Sequence, residues 1–386
     1  MSVHPTVAWA RDALPTMLTD IERLVRCESP SADAEAVERS AGVVSAIGAR
    51  LLGVQPERIV IDGCVHLRWR LGARDPGAAR VLLLAHHDTV WPIGSLQTHP
   101  FGIADGVMRG PGCFDMLTGL VMALHAAAHV AAGFAARPDA AITLLVTGDE
   151  ELGSPSSRAL IEQEAAGCRA ALVLEASGDG GAIKTGRKGV SLYRIGITGR
   201  AAHAGLEPLR GRNATVELAH QVLAVAALAD AEAETTVTPT VARSGRTTNT
   251  VPDGAEFSVD VRALTAAEQR RVDAAIRALP PAAGCTIEVQ GGINRPPLEP
   301  ASSQRLWSEA TAAAQRLGLP ALHDVTVGGA SDGNFTAGMG VPTLDGLGAV
   351  GGGAHADDEH VIVGEIPGRT ALLAELIQRA LAAPDA

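Results

Sequence analysis

Three short apolar runs along this chain each stop at groups that ionise or bind metal, and that coincidence constrains the fold more than any other feature. They are VLLLAHHD at 81–88, LLVTGDEE at 144–151 and LVLE at 172–175. Each is short for a helix and too uniformly apolar for a strand with one wet face, so each reads as a strand covered on both sides. Helical stretches lie between them. Such alternation predicts an α/β fold with a mostly parallel, doubly wound sheet, in which ligands bind beyond the carboxyl ends of the strands. The three polar ends would then converge.

Elsewhere the pattern is different. From Val7 to about Leu52, apolar residues recur at three and four, predicting two amphipathic helices split by ESPSAD. RIVI, near residue 60, reads as a further strand of the sheet. The Gly-rich stretches GDGGAIKTGRKG (178–189) and GGINRPPLEP (291–300) read as linkers. Between them the predicted order is strand, helix, strand, strand, helix, strand, the βαββαβ order of a ferredoxin-like unit. The expected organisation is therefore a first part of the outer domain at 1–187, an inserted domain at 188–296, and a second part of the outer domain at 297–386, its sheet resuming near VPTLDGLG.

Composition narrows the class of partner. A formal charge of −11, with Lys184 and Lys188 as the only lysines, argues against nucleic acid and against an anionic membrane. No apolar run approaches the roughly 18 residues of a membrane span. The N-terminal stretch carries charges and proline where a signal peptide needs an apolar core, and five scattered cysteines fit reduced thiols better than a disulfide framework. A cytoplasmic protein is expected.

The chemistry is concentrated in a few residues. Strand side chains alternate, so His86 and Asp88 share one direction and His87 takes the other. A ligating imidazole with a carboxylate two residues on is a recurrent pairing, the acid holding the opposite ring N–H. Asp115, in RGPGCFDMLTGL, opens an apolar helix and by itself would read as an N-cap. His355 sits in the Gly-rich DGLGAVGGGAHADDEH. Together with Glu150, Glu151 and Glu175 these make two imidazoles and four carboxylates. One divalent ion cannot balance so many acids. Two can, with one carboxylate bridging and one acid left over to take a proton from an attacking water. Spacing alone does not say which of Glu150 and Glu151 holds metal and which moves protons. His125 and His129 have zinc-like spacing on one helix but lie about 15–20 Å from Asp115 at 1.5 Å per residue, and read as packing residues. Cys113 reads as a small apolar filler. No GxGxxG follows the first strands, which sets aside a dinucleotide-binding fold.

With these residues assembled, the sequence resembles the M20 family of co-catalytic zinc peptidases and deacylases, and is most similar to the branch of glutamate carboxypeptidase and acetylornithine deacetylase. The resemblance rests on HHDTV, GPGCFD, GDEELGS, the Glu of LVLEAS, RKG, GRAAHAG, NTVPD, DVR, GGASDG and GAHADDE. It implies a zinc-hydrolase sheet with His86 and Glu175 on one Zn²⁺, Glu151 and His355 on the other, and Asp115 bridging, cobalt or manganese being possible substitutes. It further implies Glu150 as general base and Asp88 as the residue that orients His86. The inserted domain would be a lid and the interface of a homodimer, from which His203 reaches the partner's centre to stabilise the oxyanion. Asn249 and Arg262 would hold the substrate, Arg262 as a bidentate clamp on its carboxylate.

Two departures bear on this expectation. Leu117 stands where a lysine is usual, and Thr326 and Val327 stand where glutamate-releasing members carry a basic residue. The expected activity is therefore hydrolysis of an amide next to a free carboxylate in a short peptide or N-acyl amino acid, with the preferred side chain left open. The alternatives are a biosynthetic deacylase of the acetylornithine or succinyl-diaminopimelate type and a non-catalytic metal-binding scaffold. An intact Glu150 speaks against the scaffold.

Overall fold

In the computed structural model, residues 3–75 and 77–382 are described; positions 1–2, 76 and 383–386 of the expected outer domain lie outside them. The chain divides into one unit of Met1–Gly186, Pro300–Val327 and Ser331–Ala386 and another of Arg187–Glu299 with Gly328–Ala330.

The larger unit is built on a six-stranded sheet. Ala79–His86 lies between Ala140–Thr147 and Ala170–Val173, parallel to both, and Thr343–Leu344 continues the parallel part. Along Ala79–His86, Leu82 and Leu84 pack with Leu160, Ile161 and Phe335, whereas Val81, Leu83 and Ala85 join the larger core with helix Thr118–Ala131. Period-two alternation thus sends each strand into two cores, which is why the runs are apolar throughout. The expected α/β, mostly parallel, doubly covered sheet is present.

Its other edge differs from the sequence reading. The strand Glu57–Ile61 is antiparallel to Cys64–Gly72, and that strand is antiparallel to Ala140–Thr147. Asp62 and Gly63, both at positive φ, make the two-residue turn. Cys64–Gly72 escapes a search for apolar runs because it carries His66, Arg68 and Arg70. Burying Arg68 is tolerable only because Glu164 and Glu57 hold its guanidinium.

The predicted helices Pro5–Val25 and Ala34–Leu52 form. The stretch Cys113–Ala131 is long and apolar enough to cross a membrane, contrary to the count made on sequence, but 83% of it is buried inside the protein as a core element.

In the smaller unit, Thr236–Ser244, Gly254–Ala263, Gly189–Thr198 and Thr286–Arg295 lie side by side in that order, all antiparallel, with helices Ala214–Ala226 and Ala266–Arg277 between strands in the chain. This is the split βαβ arrangement. Both expected linkers are more ordered than their glycines suggest. Ile183–Arg187 is a strand paired with Asp324–Val327, and Thr286–Arg295 runs through Gly291 and Gly292. Gly291 has φ +86°, and a Cβ there would meet the Leu192 carbonyl oxygen at 2.2 Å. Here glycine serves a close strand approach rather than a flexible joint.

Candidate metal centre

Strand register decides what meets at the sheet's edge. His86 is opposite Thr147 and Leu84 is opposite Val173, so Glu175, two residues past the last strand position, lies level with His86. Gly148–Glu151 turns out of the neighbouring strand on the same edge, as Glu150–Leu152 forms one helical turn. The fourth contribution depends on a small sheet in which His360–Ile362 pairs with both Gly351–Gly352 and Val107–Arg109. That pairing carries His355, at φ +62°, to the segment holding Asp115.

Asp115 lies between two imidazoles. His86 Nε2 is 3.6 Å from Asp115 Oδ1 and 3.5 Å from Glu175 Oε1. His355 Nε2 is 3.3 Å from Asp115 Oδ2 and 3.3 Å from Glu151 Oε2. Two donor sets, His86–Asp115–Glu175 and Asp115–Glu151–His355, each have their ligand atoms within 4.8 Å of one another, and they share the aspartate. Asp115 Oδ1 and Glu151 Oε1 are buried with no hydrogen-bond partner among the described residues. Orphaned buried carboxylate oxygens are costly unless a cation sits against them. The residues present therefore fit a pair of divalent ions, with imidazole and carboxylate donors of the kind zinc takes.

Titration behaviour carries the same signature. Hydrogen bonds to Asp115 and Glu151 push His355 up to about 10. Burial opposes charge on His86, but Asp115, Asp88 and Glu175 outweigh it and raise the imidazole well above its usual range. Asp115, despite burial, is held far below the carboxylate range by His355 and His86. Glu151 moves up, because burial and the neighbouring Asp115 charge exceed the pull of His355. Protons on the two imidazoles here do electrostatically what cations would do.

Behind these groups stand acids that touch neither donor set's inner face. Asp88 is buried; its backbone carbonyl is 2.9 Å from His86 Nδ1 and its carboxylate 3.5 Å. That carboxylate accepts Ser31 Oγ–H at 2.6 Å and the backbone N–H groups of Glu150 and Glu151 at 3.3 and 3.2 Å. Asp88 thus braces the glutamate turn as much as the histidine. Asp149, the first acid of GDEE, accepts Ser156 N–H and Oγ–H at 2.7 and 2.6 Å and Ser157 N–H and Oγ–H at 3.2 and 2.5 Å. Asp149 and Glu151 are tolerated so close together because they face different partners, the serines and His355. Asp332, from GGASDG, accepts Thr147 Oγ1–H at 3.1 Å and the Ser154 hydroxyl.

The histidines set aside on sequence have ordinary partners. His87 is buried with Nε2 3.1 Å from the Val65 carbonyl. His125 pairs with Asp20 at 3.2 Å, and His129 stacks on Trp9 at 3.8 Å. Cys113 is buried, which pushes its thiol up. Cys64, His66 and Asp149 also cluster, but His66 is bound to Ser156 and Gly148 and the Asp149 oxygens are filled.

In the smaller unit, Ala202–His203 pairs with Thr250–Val251, and Ala204 N–H donates to the Asn249 carbonyl at 2.9 Å. His203 and Asn249 are therefore neighbours, both exposed. His203 Nδ1 accepts the N–H groups of Gly205 and Leu206, each at 3.1 Å, which leaves the ring proton on Nε2. Arg262 has its fork closed on Asp260, at 2.7 and 2.8 Å.

Sequence reasoning missed Glu359. It is buried and accepts the N–H groups of Gly112, Phe114 and Asp115 at 2.9, 2.8 and 3.0 Å and Trp91 Nε1–H at 2.6 Å. The available signal was an acid at the end of GAHADDE with no assigned role.

Residues 82–379 match the model of Peptidase family M20/M25/M40. The chain is 30% identical over 382 residues to carboxypeptidase G2 of a Pseudomonas species, covering 95% of this chain and 90% of that protein. It is also 30% identical over 399 residues to a succinyl-diaminopimelate desuccinylase of Methylorubrum extorquens, covering 92% and 96%. The Bacillus subtilis YXEP protein, described as a dinuclear metal-binding peptidase from the M20 family, shares the fold with a TM-score of 0.66 at 16% identity over 96% of this chain and 99% of that one.

Proposed function

Because the chain belongs to peptidase family M20/M25/M40, and is by that membership a hydrolase, we propose that it uses two zinc ions to cleave an amide next to a free carboxylate in a short peptide or N-acyl amino acid. The observation that carries this reading is the shared Asp115, 3.3–3.6 Å from both His86 and His355. His86, Asp115 and Glu175 would hold one ion, and Asp115, Glu151 and His355 the other. Such ions supply Lewis acidity to the scissile carbonyl and acidify water.

The remaining work falls to side chains. Glu150 takes a proton from the attacking water on its carboxylate and passes it to the leaving nitrogen. Asp88, through the N–H groups of Glu150 and Glu151, holds base and ligand in one rigid turn. His203 donates Nε2–H to the amide oxygen as charge builds there, in the centre of a second copy of the chain. Asn249 and Arg262 hold the substrate, Arg262 exchanging Asp260 for the substrate carboxylate. A homodimer through the smaller unit is supported by apolar side chains open to solvent there, Leu206, Leu209 and Leu223 being 78%, 97% and 71% exposed.

Likeness to the desuccinylase keeps a deacylase as the second reading, and Thr326 and Val327 supply no charge for a glutamate side chain. N-acetyl, N-succinyl and dipeptide substrates, each assayed with and without chelator, decide between them. Turnover that ignores chelator would overturn the metal-dependent reading. Elemental analysis of the purified protein identifies the ion.

A further inference from the structure

We propose that Glu359 is a positioning residue for the centre: its carboxylate holds the Gly112–Asp115 backbone so that Asp115 faces both donor sets. This rests on the reading of Asp115 as a shared ligand.

Cys113, Phe114, Met116 and Leu117 anchor the segment in the core, but its backbone is irregular. Gly112 is at φ +71°, and Asp115 and Met116 have non-helical backbone angles, shortly before the helix Thr118–Ala131. Its own hydrogen bonds run from Cys113 N–H to Gly110 and from Leu117 N–H to Gly112, which leaves the N–H groups of Gly112, Phe114 and Asp115. All three end on Glu359, Oε2 taking Gly112 and Oε1 taking Phe114 and Asp115, while Trp91 Nε1–H completes Oε2. An anion receiving converging backbone N–H groups is a strong, directional anchor. It acts on the atoms next to the ligand, since the Asp115 N–H is among the donors.

The tether also explains how two distant parts of the chain form one site. Glu359 lies four residues after His355, and His360 pairs with Arg109 in the small sheet. One segment therefore brings His355 to Asp115 and fixes the Asp115 backbone. A carboxylate suits the place because its two oxygens accept from all four donors. An amide in its place has one acceptor oxygen for four donors and turns an NH₂ towards N–H groups.

The test is Glu359→Gln, studied by metal titration of the metal-free protein, by the visible spectrum of the Co²⁺-loaded form, and by kcat and KM. Loss of such supporting partners typically weakens metal affinity or activity about 10- to 100-fold, and that loss in affinity, with an altered Co²⁺ spectrum and a lower kcat at unchanged KM, is expected. Two equivalents bound with unchanged affinity and spectrum, with only a lower Tm, would make Glu359 a prop of the fold and overturn the proposal. Asp115→Asn separates the two ideas: if it also binds both ions normally, the shared-ligand reading has failed, not the tether alone. Should the Gln variant not fold, amide hydrogen exchange in the native protein decides. Protected amides at Gly112, Phe114 and Asp115 in the metal-free form are expected, and exchange there at unprotected rates would overturn the tether.

Discussion

The candidate groups of the larger unit, His355 excepted, are buried or nearly so and multiply held, whereas those of the smaller unit are exposed or partly exposed, and among the described residues the side-chain bonds of His203 and Arg262 reach only near neighbours in sequence. Asp115 and the glutamate turn are fixed by Glu359, Asp88, Asp149 and Asp332, acids that come from four different parts of the chain. His203, by contrast, bonds to residues two and three positions on, and Arg262 to a residue two positions back. The contrast teaches that the candidate metal centre is organised in advance, at the cost of burying charge, while His203 and Arg262 in the smaller unit are held only by local bonds that a ligand could replace. Electrostatic preorganisation matters most where charge is moved. Recognition can be completed on binding.

The largest effect should come from Glu150, the proposed base, which adjoins Glu151 in the turn but belongs to neither donor set. Glu150→Ala is expected to lower kcat by about 10²–10⁴ with both metals retained by elemental analysis. Loss of a metal instead would mean that the two glutamates have exchanged roles, and the contrast would no longer hold inside the turn. His203→Ala probes the exposed side. Its removal should reduce kcat by about 10²–10³ with little change in KM, as for a single oxyanion donor, and leave Tm unaltered because the ring is solvent-exposed. A raised KM at constant kcat would assign it to ground-state binding.

The convergence of candidate donors was legible because they sit at the ends of apolar strands, where a topological rule collects them. The choice of Glu151 over Glu150 came from the family resemblance, whereas His86, Glu175 and the Glu150–Glu151 pair follow from that rule. His355 does not: it reaches Asp115 through strands of two and three residues, Gly351–Gly352, Val107–Arg109 and His360–Ile362, too short to leave a periodic trace. Cys64–Gly72 was hidden for a related reason, since its buried Arg68 mimics a wet strand until Glu57 and Glu164 are placed beside it. Glu359 and Asp332 were unreadable because their partners are backbone N–H and hydroxyl groups, to which sequence patterns are blind.

Arg262 tests whether the proposed recognition groups are exchangeable. Its guanidinium meets Asp260 on the same face of one strand. Partly exposed pairs of this kind are worth about 0–1 kcal/mol, so a substrate carboxylate can displace the acid at small cost. Arg262→Ala should raise KM about tenfold, a change of roughly 1.4 kcal/mol, and Asp260→Asn should lower it. If neither variant changes KM for any carboxylate-bearing substrate, the Arg262–Asp260 pair is structural.

The smallest effect concerns pH, and it belongs to the half-exposed histidine that joins the two kinds of region. In the metal-free protein, contacts with Asp115 and Glu151 raise His355 from 6.5 to about 10. A folded-state value above the unfolded one means that this contribution to stability is full below about pH 6.5 and is lost as pH rises through about 10. Because the ring is 48% exposed, screening keeps the effect small. Tm of the metal-free form should therefore fall between pH 6.5 and 10, and His355→Gln should flatten that slope without changing the slope due to other groups. Metal loading reverses the sign, because an imidazole must lose its proton to become a ligand. Over the same window metal affinity should rise with pH, and calorimetry in buffers of different ionisation enthalpy should detect proton release on binding. No proton release would mean that His355 is not a ligand, and the exposed imidazole would then belong with the recognition groups of the smaller unit rather than with the buried centre.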